Sequence, residues 1–270
     1  MNPLRITLLQ TDIAWENKQE NLRRLRGELE AVGGKTDLVV LPETFSTGFS
    51  TSTALQAETV DGETLSTLRQ WAGQYGTALA GSFMARDEAC GPDGKPRYYN
   101  RAFFLTPEGE SFYYDKRHLF RMGDETEHFT PGRQRPIITY RGWNILLLVC
   151  YDLRFPVWSR NTDNAYDLLI YVANWPASRR RVWDILLQAR ALENMCYVCG
   201  VNRIGTDGNG LPHNGGSILY SPKGLPLATL TDNKEGAATA TLSLNSLKEF
   251  RAKFPVWMDA DRFTISADNS

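Results

Sequence analysis

Surplus charge is what this sequence most conspicuously lacks: thirty lysines and arginines stand against thirty-one aspartates and glutamates in 270 residues, a formal net charge of -1. Nucleic acid is therefore not expected as the main partner, because phosphate binding needs a basic surface. Long apolar runs are missing too, and the first ten residues, Met1 to Gln10, hold no uninterrupted apolar stretch behind a basic region. No membrane span and no signal peptide are expected, which leads to a cytoplasmic location. Four cysteines are too few for a disulfide framework in a chain of this length. Cys196 and Cys199 form a C-x-x-C, but in the β-like run Cys196-Tyr-Val-Cys-Gly-Val201 residues three apart point to opposite faces, which favours buried strand thiols over a dithiol centre. His118, His128 and His213 are too widely spaced for a ligand cluster, so no metal is expected. Gly205-Thr-Asp-Gly-Asn-Gly210 lacks the spacing of a nucleotide loop and reads as a tight turn.

What is present is the composition of an ordinary globular protein, 42% hydrophobic and 23% charged, with neither an internal repeat nor a linker. One domain over residues 1–270 is the expectation. Strand and helix signals alternate. Arg5 to Ile13 reads as a strand, and Leu22, Leu25, Leu29 and Val32 have the spacing of a helix with one buried face. Asp37-Leu-Val-Val-Leu-Pro42 is a buried strand stopped by a proline that has no N–H for the ladder. A second helix runs through Leu65, Leu68, Trp71, Ala72 and Tyr75, and a strand from Thr77 to Phe83. Asn100 to Leu105 and Ser111 to Tyr114 then read as a hairpin. After a polar, irregular stretch from Arg117 to Pro136 come strands at Ile137–Tyr140, Asn144–Val149 and Asp167–Val172, a helix from about Ser178 to Asn194, and a strand from Tyr197 to Arg203. Arg179-Arg180-Arg181, a local run of charge, reads as the solvated start of that helix. Hairpins interleaved with helices in both halves predict an α/β protein with two packed sheets covered by helices.

Three reactive side chains fall where predicted strands end: Glu43, Lys116 and Cys150. Strand ends are where a rigid sheet presents groups to a pocket. Taken singly, each has an ordinary explanation as a solvated carboxylate, a surface charge or a core thiol. Together the segments Leu41-Pro-Glu-Thr-Phe45, Asp115-Lys-Arg-His-Leu-Phe120 and Val149-Cys-Tyr-Asp-Leu-Arg-Phe155 resemble, in order, the three signature segments of the nitrilase superfamily of carbon–nitrogen hydrolases. The resemblance runs from the first strand to about Phe263 and takes in Asn174-Trp-Pro176 and Ala189-Arg-Ala-Leu-Glu-Asn194. It implies a four-layer α-β-β-α sandwich, and an amidase in which Cys150 attacks, Glu43 carries protons and Lys116 stabilises the oxyanion together with the N–H of Tyr151, through a thioester and without metal or organic cofactor. Those roles match physical need, since an amide is a poor electrophile and hydrolysis benefits from a strong nucleophile, a proton carrier and an oxyanion stabiliser.

The same resemblance implies a second glutamate upstream of Phe129-Thr-Pro-Gly132; spacing to the proline favours Glu125 over Glu127. Phe45-Ser-Thr-Gly-Phe49, Cys150 to Trp158 and Ala173-Asn-Trp-Pro176 look most like the bacterial ω-amidase branch, which implies 2-oxoglutaramate and 2-oxosuccinamate as substrates, with water as co-substrate. Arg154 would bind the far carboxylate in bidentate fashion, and Phe45, Tyr151 and Trp175 would wall the pocket. The alternatives within the family are a nitrilase, an N-carbamoyl amino acid amidohydrolase or another aliphatic amidase. A metal-dependent phosphoesterase of similar layered fold would leave Cys150 and Lys116 without a task. The resemblance also implies a homodimer or higher homo-oligomer. A core of about residues 4–245 is expected, with a tail of about 246–270 carrying Phe254, Trp257 and Phe263 toward a partner subunit.

Overall fold

The computed structural model describes residues 3–91 and 94–265, so both ends of the expected domain lie outside the described residues. In chain order the first half contains β1 (Leu4–Gln10), α1 (Lys18–Val32), β2 (Leu38–Val40), α2 (Thr53–Gln56), α3 (Glu63–Tyr75), β3 (Ala78–Arg86), β4 (Tyr98–Leu105), β5 (Ser111–Asp115) and α4 (Glu125–His128). The second half contains β6 (Ile137–Tyr140), β7 (Trp143–Val149), α5 (Pro156–Ser159), β8 (Leu168–Ala173), α6 (Arg180–Asn194), β9 (Tyr197–Asn202), β10 (Ile204–Thr206), β11 (Pro212–Asn214), β12 (Ile218–Tyr220), β13 (Pro226–Thr229), β14 (Gly236–Leu242) and α7 (Leu244–Lys253).

These strands make two six-stranded sheets, ordered β14-β1-β2-β3-β4-β5 and β13-β12-β9-β8-β7-β6, plus the β10–β11 ribbon. Alternation along each strand decides what its two faces bury. On the first sheet Leu4, Ile6, Leu8, Leu38, Val40, Ala102 and Phe104 pack into one core with Ile145, Leu147 and Val149 of the second. Their neighbours Val39, Leu79, Phe103 and Leu105 face the other way, onto Leu22, Leu25 and Leu29 of α1 and Leu65, Leu68 and Ala72 of α3. On the far side of the second sheet, α6 buries Trp183, Leu187 and Ala191. It lies so close to β9 that a Cβ on Gly200 would stand 2.4 Å from Leu187 Cδ1. The layers run helix, sheet, sheet, helix, the four-layer sandwich of the expected α/β class.

β2 and β8 pair in parallel with both neighbours, and β7 pairs in parallel with β8 and antiparallel with β6; parallel strands with both faces covered read as continuous apolar runs. That is why their boundaries are plain in the sequence. The boundary expected near residue 245 is displaced. α7 continues to Lys253, with Leu244 and Leu247 buried and Arg251 donating to Asp167 Oδ1 at 2.9 Å, Tyr166 O at 2.7 Å and Met195 O at 3.0 Å. A guanidinium paired in this way docks the helix on its own chain, so an outward-facing segment begins only after it, where Phe254, Val256, Met258 and Phe263 are exposed. Cys196 and Cys199 are buried free thiols. Among the described residues no helix is long and apolar enough to cross a membrane.

Candidate active site

Three segments that leave the ends of β2, β5 and β7 meet at one place. Beyond β2 the chain pairs once more with β3, Leu41 N–H donating to Ala80 O at 2.7 Å, before Pro42 ends the ladder. Thr44 then takes a positive φ of 42° and its N–H donates to Ser82 Oγ at 2.8 Å. This turn leaves Glu43 1% exposed between the sheets. Lys116 follows β5, held in register by its N–H on Asn100 O at 3.0 Å. The next loop is pinned against it, because Gly132 N–H donates to Lys116 O at 2.9 Å. A Cβ on Gly132 would stand 1.9 Å from Asp115 O, so only glycine permits that approach. The loop in turn delivers Glu125, whose Oε2 accepts from Phe120 N–H at 2.6 Å.

Buried carboxylates and ammonium groups are tolerated only when paired and hydrogen-bonded, and here the pairing is dense. Lys116 Nζ donates to Glu43 Oε1 and to Glu125 Oε2, each at 2.9 Å. Asn100 Nδ2 bridges the two carboxylates, 2.7 Å from Glu43 Oε1 and 3.1 Å from Glu125 Oε1. Glu43 Oε2 accepts from the backbone N–H of Asn174 at 2.7 Å. The Asn174 carboxamide donates to Glu43 O at 2.6 Å and Thr44 Oγ1 at 2.9 Å, fastening β8 to the Glu43 turn. Glu127 is exposed and plays no part in this cluster. Asn100 and Asn174 were not singled out as site residues; each lies on or just after a predicted strand, where a buried asparagine signals a polar network.

Cys150 begins the turn that follows β7 and has a φ of 43°, a conformation that costs a non-glycine residue about 1 kcal/mol or more. Asp152 holds that turn. Its Oδ2 accepts from Val149 N–H at 3.1 Å and Tyr114 Oη at 2.8 Å, and its Oδ1 from His118 N–H at 3.1 Å. The His118 ring, with Nδ1 2.7 Å from the same oxygen, stacks on Phe155. One carboxylate thus ties the strand that leads to Lys116 to the turn that carries Cys150. The Cys150 thiol shares the site with the Glu43 carboxylate and the Lys116 ammonium, and both charges act on it. Burial first, and then the Glu43 carboxylate, push its pKa well above the ordinary cysteine value, against the pull of the Lys116 ammonium. Burial works against the charge of Lys116, yet Glu125 and Glu43 hold its pKa above that of a free lysine. Glu125 is raised by burial, opposed by Lys116 and reinforced by Glu43.

Above this floor opens a cavity of about 300 Å³, lined by Glu43, Lys116 and Cys150 at the bottom. Tyr151, Arg154 and Trp175 line it as the sequence suggested. Phe45 does not. The reversal at Thr44 sends Phe45 into the helix-covered layer, where it is 5% exposed and its ring lies 5.9 Å from that of Phe103. Phe49 takes the place at the cavity wall, 5.4 Å from Lys116 Nζ. Arg179, read as part of a solvated helix start, also lines the cavity, and so do Asp207, Asn209 and Leu211 at the tip of the β10–β11 ribbon, the segment read as a simple turn. His213 completes that side; burial and then Arg203 depress its pKa, and its Nδ1 lies 3.0 Å from Leu211 O.

The carbon–nitrogen hydrolase family profile matches residues 5–252. The chain is 44% identical over 265 residues to an omega-amidase, YafV, of Escherichia coli K12, covering 98% of this chain and all of that one. It is 31% identical to a 2-oxoglutaramate amidase of Bacillus subtilis, covering 94% and 96% of the two chains. The crystal structure of XC1258 from Xanthomonas campestris, described as a CN-hydrolase superfamily protein with an arsenic adduct in the active site, superposes with a TM-score of 0.93 at 41% identity over 98% of this chain and all of that one. Two helix-covered sheets, a buried Glu-Lys-Glu cluster under a strand-end cysteine, and a profile match over nearly the whole length agree: the chain belongs to the carbon–nitrogen hydrolases of the nitrilase superfamily.

Proposed function

We propose that this protein is an ω-amidase that hydrolyses the terminal amide of 2-oxoglutaramate and 2-oxosuccinamate to the 2-oxo acid and ammonia. The observation that carries the reading is that Cys150, Glu43 and Lys116 line the same cavity as Arg154, which has no ion-pair partner among the described residues. With its pKa raised, the thiol rests protonated at neutral pH. Glu43 takes its proton as the sulfur attacks the amide carbon, and Lys116 with the backbone N–H of Tyr151 receives the developing oxyanion. Collapse of the tetrahedral intermediate expels ammonia with the proton returned by Glu43, leaving a thioester on Cys150. Water, deprotonated by Glu43, then attacks the thioester and releases the acid and the thiol. Glu125 and Asn100 position Lys116 and Glu43; Arg154 binds the far carboxylate, with Tyr151 and Trp175 as walls.

Ammonia release from 2-oxoglutaramate, measured beside nitriles, N-carbamoyl amino acids and glutamine, tests the substrate. Absence of turnover on the oxo-amide sinks the reading, and preference for a nitrile or a carbamoyl amino acid selects one of the family's other activities. Residues 1–270 are taken as one catalytic domain, a reading supported by the core shared between the sheets, and as a cytoplasmic homodimer or higher homo-oligomer, the assembly supported by the apolar segment exposed after α7. Sedimentation of the intact chain beside a Phe254→Asp, Met258→Asp variant tests the assembly: a monomeric parent refutes it.

A further inference from the structure

The outer half of the cavity holds a second guanidinium for which the proposed reaction has so far no use. Arg179 precedes α6, and its guanidinium carbon lies 5.1 Å above the Phe120 ring; that of Arg154 lies 5.3 Å above the Trp175 ring. The two are mechanically linked, since Trp175 Nε1–H donates to Arg179 O at 2.9 Å. Neither arginine has a carboxylate within ion-pair distance among the described residues, whereas the adjoining Arg180 is paired with Asp184 and Asp232. Asp207, the remaining charged group of the outer wall, spends Oδ1 on the backbone N–H groups of Asn209 and Leu211, each at 2.9 Å. With both carboxylates ionised, the floor of Glu43, Glu125 and Lys116 carries one net negative charge. The rim of Arg154, Arg179 and Asp207 carries one net positive charge.

We propose that Arg179 is a specificity-determining residue, forming with Arg154 a two-guanidinium receptor for the planar 2-oxo-carboxylate end of the substrate and against a 2-ammonium group. Two planar forks offer more donors than one carboxylate accepts. A 2-oxo acid adds a third, coplanar acceptor oxygen, while a 2-amino acid places a cation between two cations. A neutral amide end meets the negative floor without penalty. The inference rests on the ω-amidase reading for its choice of ligand end, but it concerns binding and is read separately from turnover.

The test uses three five-carbon acids without a reactive group, 2-oxopentanoate, pentanoate and 2-aminopentanoate, titrated calorimetrically into the full-length protein. The expected order is 2-oxopentanoate tightest and 2-aminopentanoate weakest. Arg179→Gln weakens 2-oxopentanoate by about tenfold, a fold-change equal to ~1.4 kcal/mol, and flattens the order; Arg179→Lys recovers part of the affinity. On 2-oxoglutaramate the same variant raises KM by more than it lowers kcat. Equal binding of the oxo and amino acids by the parent, or an unaltered 2-oxopentanoate affinity in a folded Arg179→Gln protein, overturns the proposal. Should the parent fail to hydrolyse 2-oxoglutaramate while the binding order holds, the reaction assignment falls and the receptor stands.

Discussion

The floor and the rim of the cavity are built on opposite plans. On the floor, Glu43, Lys116 and Glu125 are at most 1% exposed, and an amide, an ammonium or a backbone N–H lies against their charged atoms at 2.6 to 3.1 Å. At the rim, Arg154 and Arg179 are partly exposed, lean on aromatic faces and have no ion-pair partner among the described residues. A group that must move protons needs a fixed position, and fixed position comes from surrounding hydrogen bonds. A group that must recognise a charged ligand needs donors that are not already spent. Chemistry and selectivity are therefore supplied by regions that tolerate substitution very differently.

The comparison is broken most severely at the nucleophile. Cys150→Ala is expected to abolish ammonia release while its thermal midpoint stays near the parent's; normal turnover in that variant would refute the assignment. Lys116→Met leaves Glu43 and Glu125 buried without their cation, so it should lose activity and also about 3–5 kcal/mol of stability, read by urea denaturation. A rim variant of equal size should lose no such stability. Arg154→Gln is expected to raise KM for 2-oxoglutaramate about tenfold to a hundredfold, the worth of a charge-assisted hydrogen-bonded pair of ~1.5–3 kcal/mol, with kcat much less affected. Titration of the thiol by its 240 nm absorbance sharpens the floor: it should ionise well above the ordinary range near pH 8.5. In Glu43→Gln the thiol should ionise at lower pH, because the removed negative charge is one of the causes that raise it. The smallest effect belongs to Asp207→Asn, which removes the negative charge of the rim yet keeps an acceptor for the ribbon tip; KM for the anionic amide should fall about twofold, the scale of an exposed charge.

How legible each region is in the sequence follows the same divide. Glu43, Lys116 and Cys150 sit one to three residues beyond strands whose apolar runs are read directly, and the run fixes where each strand ends. Periodicity cannot be carried through a turn, which is where the reading failed at Phe45: the positive φ of Thr44 reverses the expected face and gives the wall to Phe49. Arg179 looked like solvated charge because nothing local distinguishes it from Arg181, which is exposed. Its role depends on Phe120 and Trp175, and no local pattern encodes the approach of the segment at 120 to the one at 179. The tip at Asp207 to Leu211 is a turn, as read, but its placement over the cavity comes from the β10–β11 pairing and the fold around it. Likewise α7 lacks a long apolar face, and its docking depends on Arg251 reaching Asp167 across the chain.

The opposite charges of floor and rim also bear on how a catalytic cycle closes. An amide enters with an uncharged end toward Glu43 and Glu125, but the acid that leaves has acquired a carboxylate at that same end. Hydrolysis thus converts a ligand that suits the floor into one that the floor repels, while the rim's hold on the other end is unaltered. In the proposed reaction, with Glu43 and Glu125 both ionised, the carboxylate that hydrolysis creates would favour release of the acid and oppose its re-entry at the nucleophile.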